Sequence, residues 1–187
     1  MLTARTLIEA QVYESVMTAA DDSLPSVPPL GPKSGVNVDE GETAWTFHST
    51  VGDIEIPYVS EDASRKLGLP FGLGASSLLD AAQWAMLAAT FGRRALDADL
   101  AYTGQPGQDR YLVELNWEYA AYAVREALKF LPEDADRVPE SAIWSEFGRR
   151  GLAESPQLVH RAKLVDDLEY FEGTLSDFRA LYGPSVD

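Results

Sequence analysis

Cysteine is absent from this chain of 187 residues. Its absence excludes disulfides, thiolate zinc sites, iron–sulfur clusters and cysteine nucleophiles together. Histidine is almost as scarce, since His48 and His160 are the only two in the sequence. Neither stands beside a nucleophile motif or a partner at metal-ligand spacing. The sequence therefore predicts no catalytic residue, no metal site and no cofactor.

Positive charge is also scarce, because 15 Lys and Arg residues stand against 30 Asp and Glu residues. The formal net charge is −15. A chain this acidic repels phosphate backbones, so direct binding to nucleic acid is not expected. The charge favours a basic protein as partner, or mimicry of a nucleic acid. Plain solubility, or adaptation to salt, explains it equally well.

Long apolar runs are missing as well. The longest apolar stretch, from Leu78 to Phe91, is interrupted by Asp80 and Gln83 and is shorter than the roughly 20 residues that span a bilayer. Near the N-terminus, Glu9 and Glu14 stand where a secretory signal would have an unbroken apolar stretch. The sequence therefore predicts a cytoplasmic protein that is not embedded in a membrane.

Hydrophobic periodicity predicts that most of the chain is helical. A first helix over residues 3–22 is indicated by apolar residues at every fourth position. In the region 77–183, the segment Leu78–Leu96 is apolar almost all round and is predicted to be a buried central helix. The last helix carries an apolar stripe from Leu164 to Tyr182, which is typical of a core seam. Helices are predicted over residues 109–131, 141–150 and 156–182.

Alternation of large apolar and polar residues predicts a β-hairpin over residues 44–60. A two-residue turn at Gly52-Asp53 is expected, and this turn pairs Phe47 with Tyr58. Because one hairpin is not stable alone, its apolar face is expected to cover other elements.

Two stretches lack a regular pattern. Four prolines exclude a regular helix from residues 24–42, which are predicted to be a loop or a linker. Residues 60–75 are dense in glycine and are also expected to be irregular. Together these patterns predict one domain over residues 1–187. Its expected class is helix-dominated α+β, with about five helices around the central helix and the N-terminal hairpin packed on one side.

The acidic residues form two groups that are candidate partner-binding sites. If the two groups are adjacent, they form a negative surface that steers a basic partner. The alternative for each group is a solvated face without a function. The first group is Glu133, Asp134 and Asp136, and the second is Asp166, Asp167, Glu169 and Glu172.

Two arginine pairs occur in a repeated motif, since Phe-Gly-Arg-Arg stands at residues 91–94 and again at residues 147–150. If Arg93 and Arg94 converge with Arg149 and Arg150, the four side chains form a fork-like site for a carboxylate or phosphate. The alternative is that both pairs lie in last helical turns, where cations complement the helix dipole.

One pair of acids, Glu114 and Glu118, lies four residues apart on the predicted helix 109–131. The Glu-x-x-His pairs of a di-metal bundle do not accompany it. We expect these acids to pair with bases such as Arg110 and Arg125.

Three functions remain open on this basis. The acidic groups favour a protein-binding module, such as an immunity or antitoxin-like inhibitor, or a chaperone, of a basic protein. The alternative is a binding protein or enzyme for a small anionic ligand, with the paired arginines in a pocket lined by aromatic residues such as Trp84 and Trp117. A third is a component of a larger assembly that docks through the proline-rich segment 24–42. No recognisable catalytic constellation is present, which favours binding over catalysis, and the sequence does not define an oligomeric state.

Overall fold

The computed structural model describes residues 1–19, 37–105 and 108–183. Within these ranges the chain has six α-helices and a four-stranded sheet, which confirms the helix-dominated α+β class. The chain divides into two compact units, Met1–Asp80 and Ala81–Asp187. The expectation of one domain over residues 1–187 stays a prediction.

The first unit is a small sheet with two helices. The strands are ordered β1-β4-β3-β2, with β1 parallel to β4 and the other pairs antiparallel. Phe47, Ile54 and Ile56 are buried in its core together with Ala4 and Ala10. The strands are β1 (Leu2–Thr3), β2 (Val38–Glu40), β3 (Ala44–Ser49) and β4 (Gly52–Pro57), and the helices are α1 (Leu7–Thr18) and α2 (Tyr58–Lys66).

The hairpin turn lies two residues earlier than the sequence pattern predicts. Thr50-Val51 forms the turn instead of Gly52-Asp53, and Phe47 faces Ile54 instead of Tyr58. The glycine directly after the turn has a φ of 116°, which glycine adopts without strain. The pairing is displaced by an even number of residues, so the large apolar side chains stay on the buried face.

The predicted hairpin 44–60 is too long, because β4 ends at Pro57 and α2 begins at the next residue. This helix occupies part of the stretch 60–75 that was expected to be irregular. Its first turn carries Glu61 and its last turn carries two basic residues, an arrangement that the helix dipole favours.

The first helix is shorter than the predicted span 3–22. It begins at Leu7 because β1 pairs with β4 and the hydroxyl of Thr6 then accepts a hydrogen bond from the amide of Glu9. Residues 20–22 and residues 24–36 of the predicted loop lie outside the described residues. In the remaining part of that loop, Val38–Glu40 form β2, which pairs with β3.

The second unit is helical. In this unit α3 packs along α4, and α3 is also packed against α5 and α6. Trp84 and Phe91 of α3 are fully buried, as expected for the predicted central helix. The helices are α3 (Ala81–Ala101), α4 (Arg110–Leu128), α5 (Glu146–Glu154) and α6 (Arg161–Tyr182), and two short 3₁₀ turns are Glu140–Ala142 and Pro156–Val159.

The last helix begins later than predicted, because Pro156–Val159 forms a 3₁₀ turn and α6 starts at Arg161. Its apolar stripe is buried against α4, as the spacing indicates, with Leu164, Phe171 and Phe178 among the buried residues. Among the helices of the described ranges, none is long and apolar enough to cross a membrane.

Candidate functional site

Arg161 attaches the loop of the first predicted acidic group to the start of the helix that carries the second. Its guanidinium donates to the backbone carbonyls of Pro132, Glu133 and Ala135 at 2.6–2.9 Å, and its amide donates to the carbonyl of Asp136 at 2.8 Å. The acidic loop 133–136 is therefore fastened to the first residue of α6. At the helical rise of about 1.5 Å per residue, the acids of α6 begin about 8 Å along the axis.

Five of the seven predicted carboxylates are exposed and have no ion-pair partner in the part of the chain that the structure describes. The other two are paired: Asp167 with Lys163 on the same helix, and Glu172 with Arg125 of α4. The structure thus separates the predicted group into available and neutralised members. The available five, here called the acidic surface, are Glu133, Asp134, Asp136, Asp166 and Glu169.

An exposed aromatic ring lies beside these acids. Tyr170 is 52% exposed and stands one helical turn after Asp166. Its ring is held edge-on against Trp117, with centroids 5.9 Å apart, and against Phe171 at 5.7 Å. These contacts limit the positions that the exposed ring can adopt.

The four predicted arginines lie on two helices of the second unit, α3 and α5. Arg93 and Arg94 lie within α3, eight and seven residues before its end, so they are not in its last turn. Burial lowers the pKa of Arg94. Arg149 and Arg150 lie on α5, and Arg149 lines a cleft.

The cleft that contains Arg149, here called the arginine cleft, has a volume of about 400 Å³. It is formed by residues 137–143, which include the 3₁₀ turn Glu140–Ala142, and by α5. Ser145 fixes the start of α5, since its hydroxyl accepts from the amide of Gly148 at 2.9 Å. The lining residues are Arg137, Glu140, Ile143, Arg149, Leu152 and Ala153.

The three charged side chains of the arginine cleft are unpaired. Within residues 1–19, 37–105 and 108–183, neither Arg137 nor Arg149 forms an ion pair, and Glu140 has no basic partner. Two cations and one anion therefore face the same concave space without neutralising each other. Arg137 and Glu140 were not predicted, because they lie in a loop without periodicity and only the fold brings them to Arg149.

A second cleft, here called the paired cleft, lies between α4 and α6 and has a volume of about 330 Å³. Its charges are neutralised internally: Arg125 pairs with Glu172, and Arg179 pairs with Glu118. The Arg125 guanidinium also lies 5.3 Å from the ring centre of Tyr122. The paired cleft therefore offers no excess charge to a ligand.

His48 lies between two aspartates on the sheet. Its Nδ1 is 2.8 Å from Asp53 of β4 and its Nε2 is 3.0 Å from Asp39 of β2. The hydrogen bond with Asp53, followed by that with Asp39, raises the pKa of His48. Both ring nitrogens are engaged, so this histidine has none left for a nucleophile or a metal.

Among the described residues, no group of three or more His, Asp or Glu side chains is arranged to hold a metal ion. In comparisons with known proteins, no family model, no curated protein and no solved structure matches the chain. The chemistry of the acidic surface and of the two clefts is therefore the basis for a functional inference.

Proposed function

We propose that the chain is a protein-binding module whose acidic surface docks a basic protein, in the manner of an immunity or antitoxin-like inhibitor or of a chaperone. The observation that carries this proposal is the attachment of the acidic loop to α6 by Arg161. It ties the loop that carries one acidic group to the first residue of the helix that carries the other. Complementary charge steers encounter between proteins and disfavours partners of the wrong sign.

The available carboxylates repel one another. Asp166 and Glu169 are three residues apart on α6, a spacing at which like charges destabilise a helix by about 0.2–0.5 kcal/mol. The described residues place no base against either. A basic partner would relieve this repulsion, which supports a role in binding for these carboxylates.

The exposed ring of Tyr170 favours a protein as the partner of the acidic surface over small, loosely associated cations. Interfaces are enriched in tyrosine, tryptophan and arginine, and an exposed tyrosine face attracts a Lys or Arg side chain. Since its ring is already held by Trp117 and Phe171, little side-chain entropy remains to be lost on binding. A basic protein can meet both the ring and the carboxylates around it.

The test is a set of three double variants that each remove two negative charges. The first, Asp166→Asn with Glu169→Gln, changes the acidic surface. The second, Asp167→Asn with Glu172→Gln, removes acids that Lys163 and Arg125 already neutralise. The third removes two exposed acids of the first unit and is Glu40→Gln with Glu42→Gln.

Basic proteins captured from a lysate by the wild type are purified, and their affinities for all variants are measured by calorimetry at low and high salt. We expect the first variant to weaken binding about tenfold or more at low salt, and the other two to weaken it much less. An equal loss in all three variants would attribute the binding to net charge alone. Unchanged affinity in the first variant would refute the acidic surface as the docking site.

A further inference from the structure

The arginine cleft is unusual in a chain with twice as many acids as bases. Most arginines that the structure describes already have strong acceptors, and the guanidinium of Arg161 is bound by three backbone carbonyls. Among the residues that the structure describes, Arg137 and Arg149 have no ion-pair partner, although Glu140 lines the same cleft. Five arginines each pair with a carboxylate: Arg5, Arg65, Arg110, Arg125 and Arg179.

We propose that the arginine cleft binds a small zwitterion of the α-amino acid class with an aliphatic side chain. The two guanidiniums, Arg137 and Arg149, provide forked donors that match a carboxylate. Glu140 provides an acceptor for a protonated amine. Ile143, which is 4% exposed, and Leu152 provide an apolar wall for the side chain of the ligand.

The charge balance of the cleft favours a zwitterion over a phosphate. A dianion such as phosphate would face Glu140 inside the cleft and the net charge of −15 outside it. An amino acid presents one negative and one positive group, so each charged side chain of the cleft gains a partner of opposite sign. The volume of about 400 Å³ lies in the lower part of the range of about 300–1,000 Å³ that is usual for small-molecule sites.

The backbone that carries these side chains is ordered by hydrogen bonds. Arg137 forms a bridge with His160, and the amide of the buried Val138 donates to the carbonyl of Val159 at 3.1 Å. Arg149 lies in α5 four residues after the capping Ser145, and its amide donates to the carbonyl of Ser145 at 3.1 Å. The backbone from which both arginine side chains extend is thus held in place, which favours a preformed site.

The test is a titration of the ¹⁵N-labelled full chain followed by NMR, with four probes. L-leucine carries both charged groups, 4-methylpentanoate lacks the amine and 3-methylbutylamine lacks the carboxylate. Inorganic phosphate is the fourth probe. We expect saturable shifts of amides in residues 137–153 with L-leucine, about tenfold weaker binding of 4-methylpentanoate, and no saturable shifts with the other two. Absence of saturation with L-leucine, or tighter binding of phosphate, would overturn the proposal.

Variants of the cleft test which side chain binds the carboxylate of the ligand and which binds its amine. Arg137→Gln with Arg149→Gln should abolish the leucine shifts. Glu140→Gln should weaken the binding of L-leucine, because the amine loses its acceptor, and should strengthen the binding of 4-methylpentanoate, because a negative charge is removed from the cleft. The matched control is Arg93→Gln, an exposed arginine that does not line the cleft, and it should bind as the wild type does. Equal losses in the control and in the cleft variants would refute the site. Because the cleft shares no residue with the acidic surface, neither result bears on the proposed protein partner.

Discussion

The helical unit has two clefts of similar size, about 400 and 330 Å³, which differ in how their charged side chains are paired. In the paired cleft each guanidinium meets a carboxylate of the facing helix, so the charges connect α4 with α6. In the arginine cleft two guanidiniums and a carboxylate remain without partners in the described ranges. Charge that is neutralised across a contact stabilises the fold, whereas charge left open is available to a ligand. This difference, more than shape, separates the two clefts.

A buried carboxylate lies on α4 one helical turn before Glu118 of the paired cleft. The side chain of Glu114 is 8% exposed and accepts from Arg110 of its own helix at 2.6 Å and from Arg179 of α6 at 2.7 Å. Arg110 also donates to the carbonyls of Tyr182 and Gly183, which closes the C-terminal end of α6. Glu114 therefore holds two helices together through two arginines.

The largest effect on stability is expected for Glu114→Gln. This change leaves Arg110 and Arg179 near each other without the buried carboxylate, but both keep other acceptors. We expect the free energy of unfolding to fall by about 1–3 kcal/mol, less than the full cost of breaking a wholly buried pair. Urea denaturation at pH 7 measures it. The control Glu118→Gln removes a carboxylate that is 35% exposed and should lower the free energy of unfolding by less than about 1 kcal/mol. If both variants lost the same stability, the buried pair and the exposed pair would not differ in their contribution.

A smaller effect on stability is expected when the arginine cleft is changed. Arg137→Gln and Arg149→Gln each remove an exposed, unpaired guanidinium, so the free energy of unfolding should stay within about 0.5 kcal/mol of the wild type. The same denaturation experiment measures both variants. A loss comparable to that of Glu114→Gln would mean that these arginines support the fold, and the contrast between the clefts would be wrong.

The sequence was sufficient to predict the helices whose composition or spacing of apolar residues requires burial. A helix that is apolar almost all round has to be central, and Trp84 and Phe91 of α3 are fully buried. The stripe of α6 was predictable for the same reason, because spacings of four and three residues place Leu164 and Phe171 on one face.

Other features follow from interactions that have no sequence pattern. Alternation has a period of two, so it cannot separate hairpin registers that differ by an even number of residues, and the turn was therefore misplaced. Glu114 does pair with Arg110, as expected, but its second partner is Arg179, 65 residues away. The attachment of the acidic loop by Arg161 uses backbone carbonyls, which every residue has, so no residue type in the loop indicates it.

The smallest effect on stability is expected in the sheet unit, where pairing depends on pH. His48 is partly exposed between Asp53 and Asp39, and these hydrogen bonds raise its pKa above the ordinary value of 6.5. Because the folded pKa is raised, the pairing contributes to stability fully below about pH 6.5 and is lost as the pH rises through the folded pKa. Asp53→Asn should lower the pKa of His48 more than Asp39→Asn, since the hydrogen bond with Asp53 is the larger cause.

An NMR titration of the His48 ring protons measures these pKa values in the wild type and in both variants. The difference in urea midpoint between the wild type and His48→Gln should shrink as the pH is raised from about 5 to about 8. If the midpoint difference grew with pH, the neutral ring would be the form that the aspartates stabilise. If the midpoint difference shrank, the cluster would combine the properties of the two clefts. Its charges would be paired at low pH, when the ring of His48 is protonated, and unpaired at high pH.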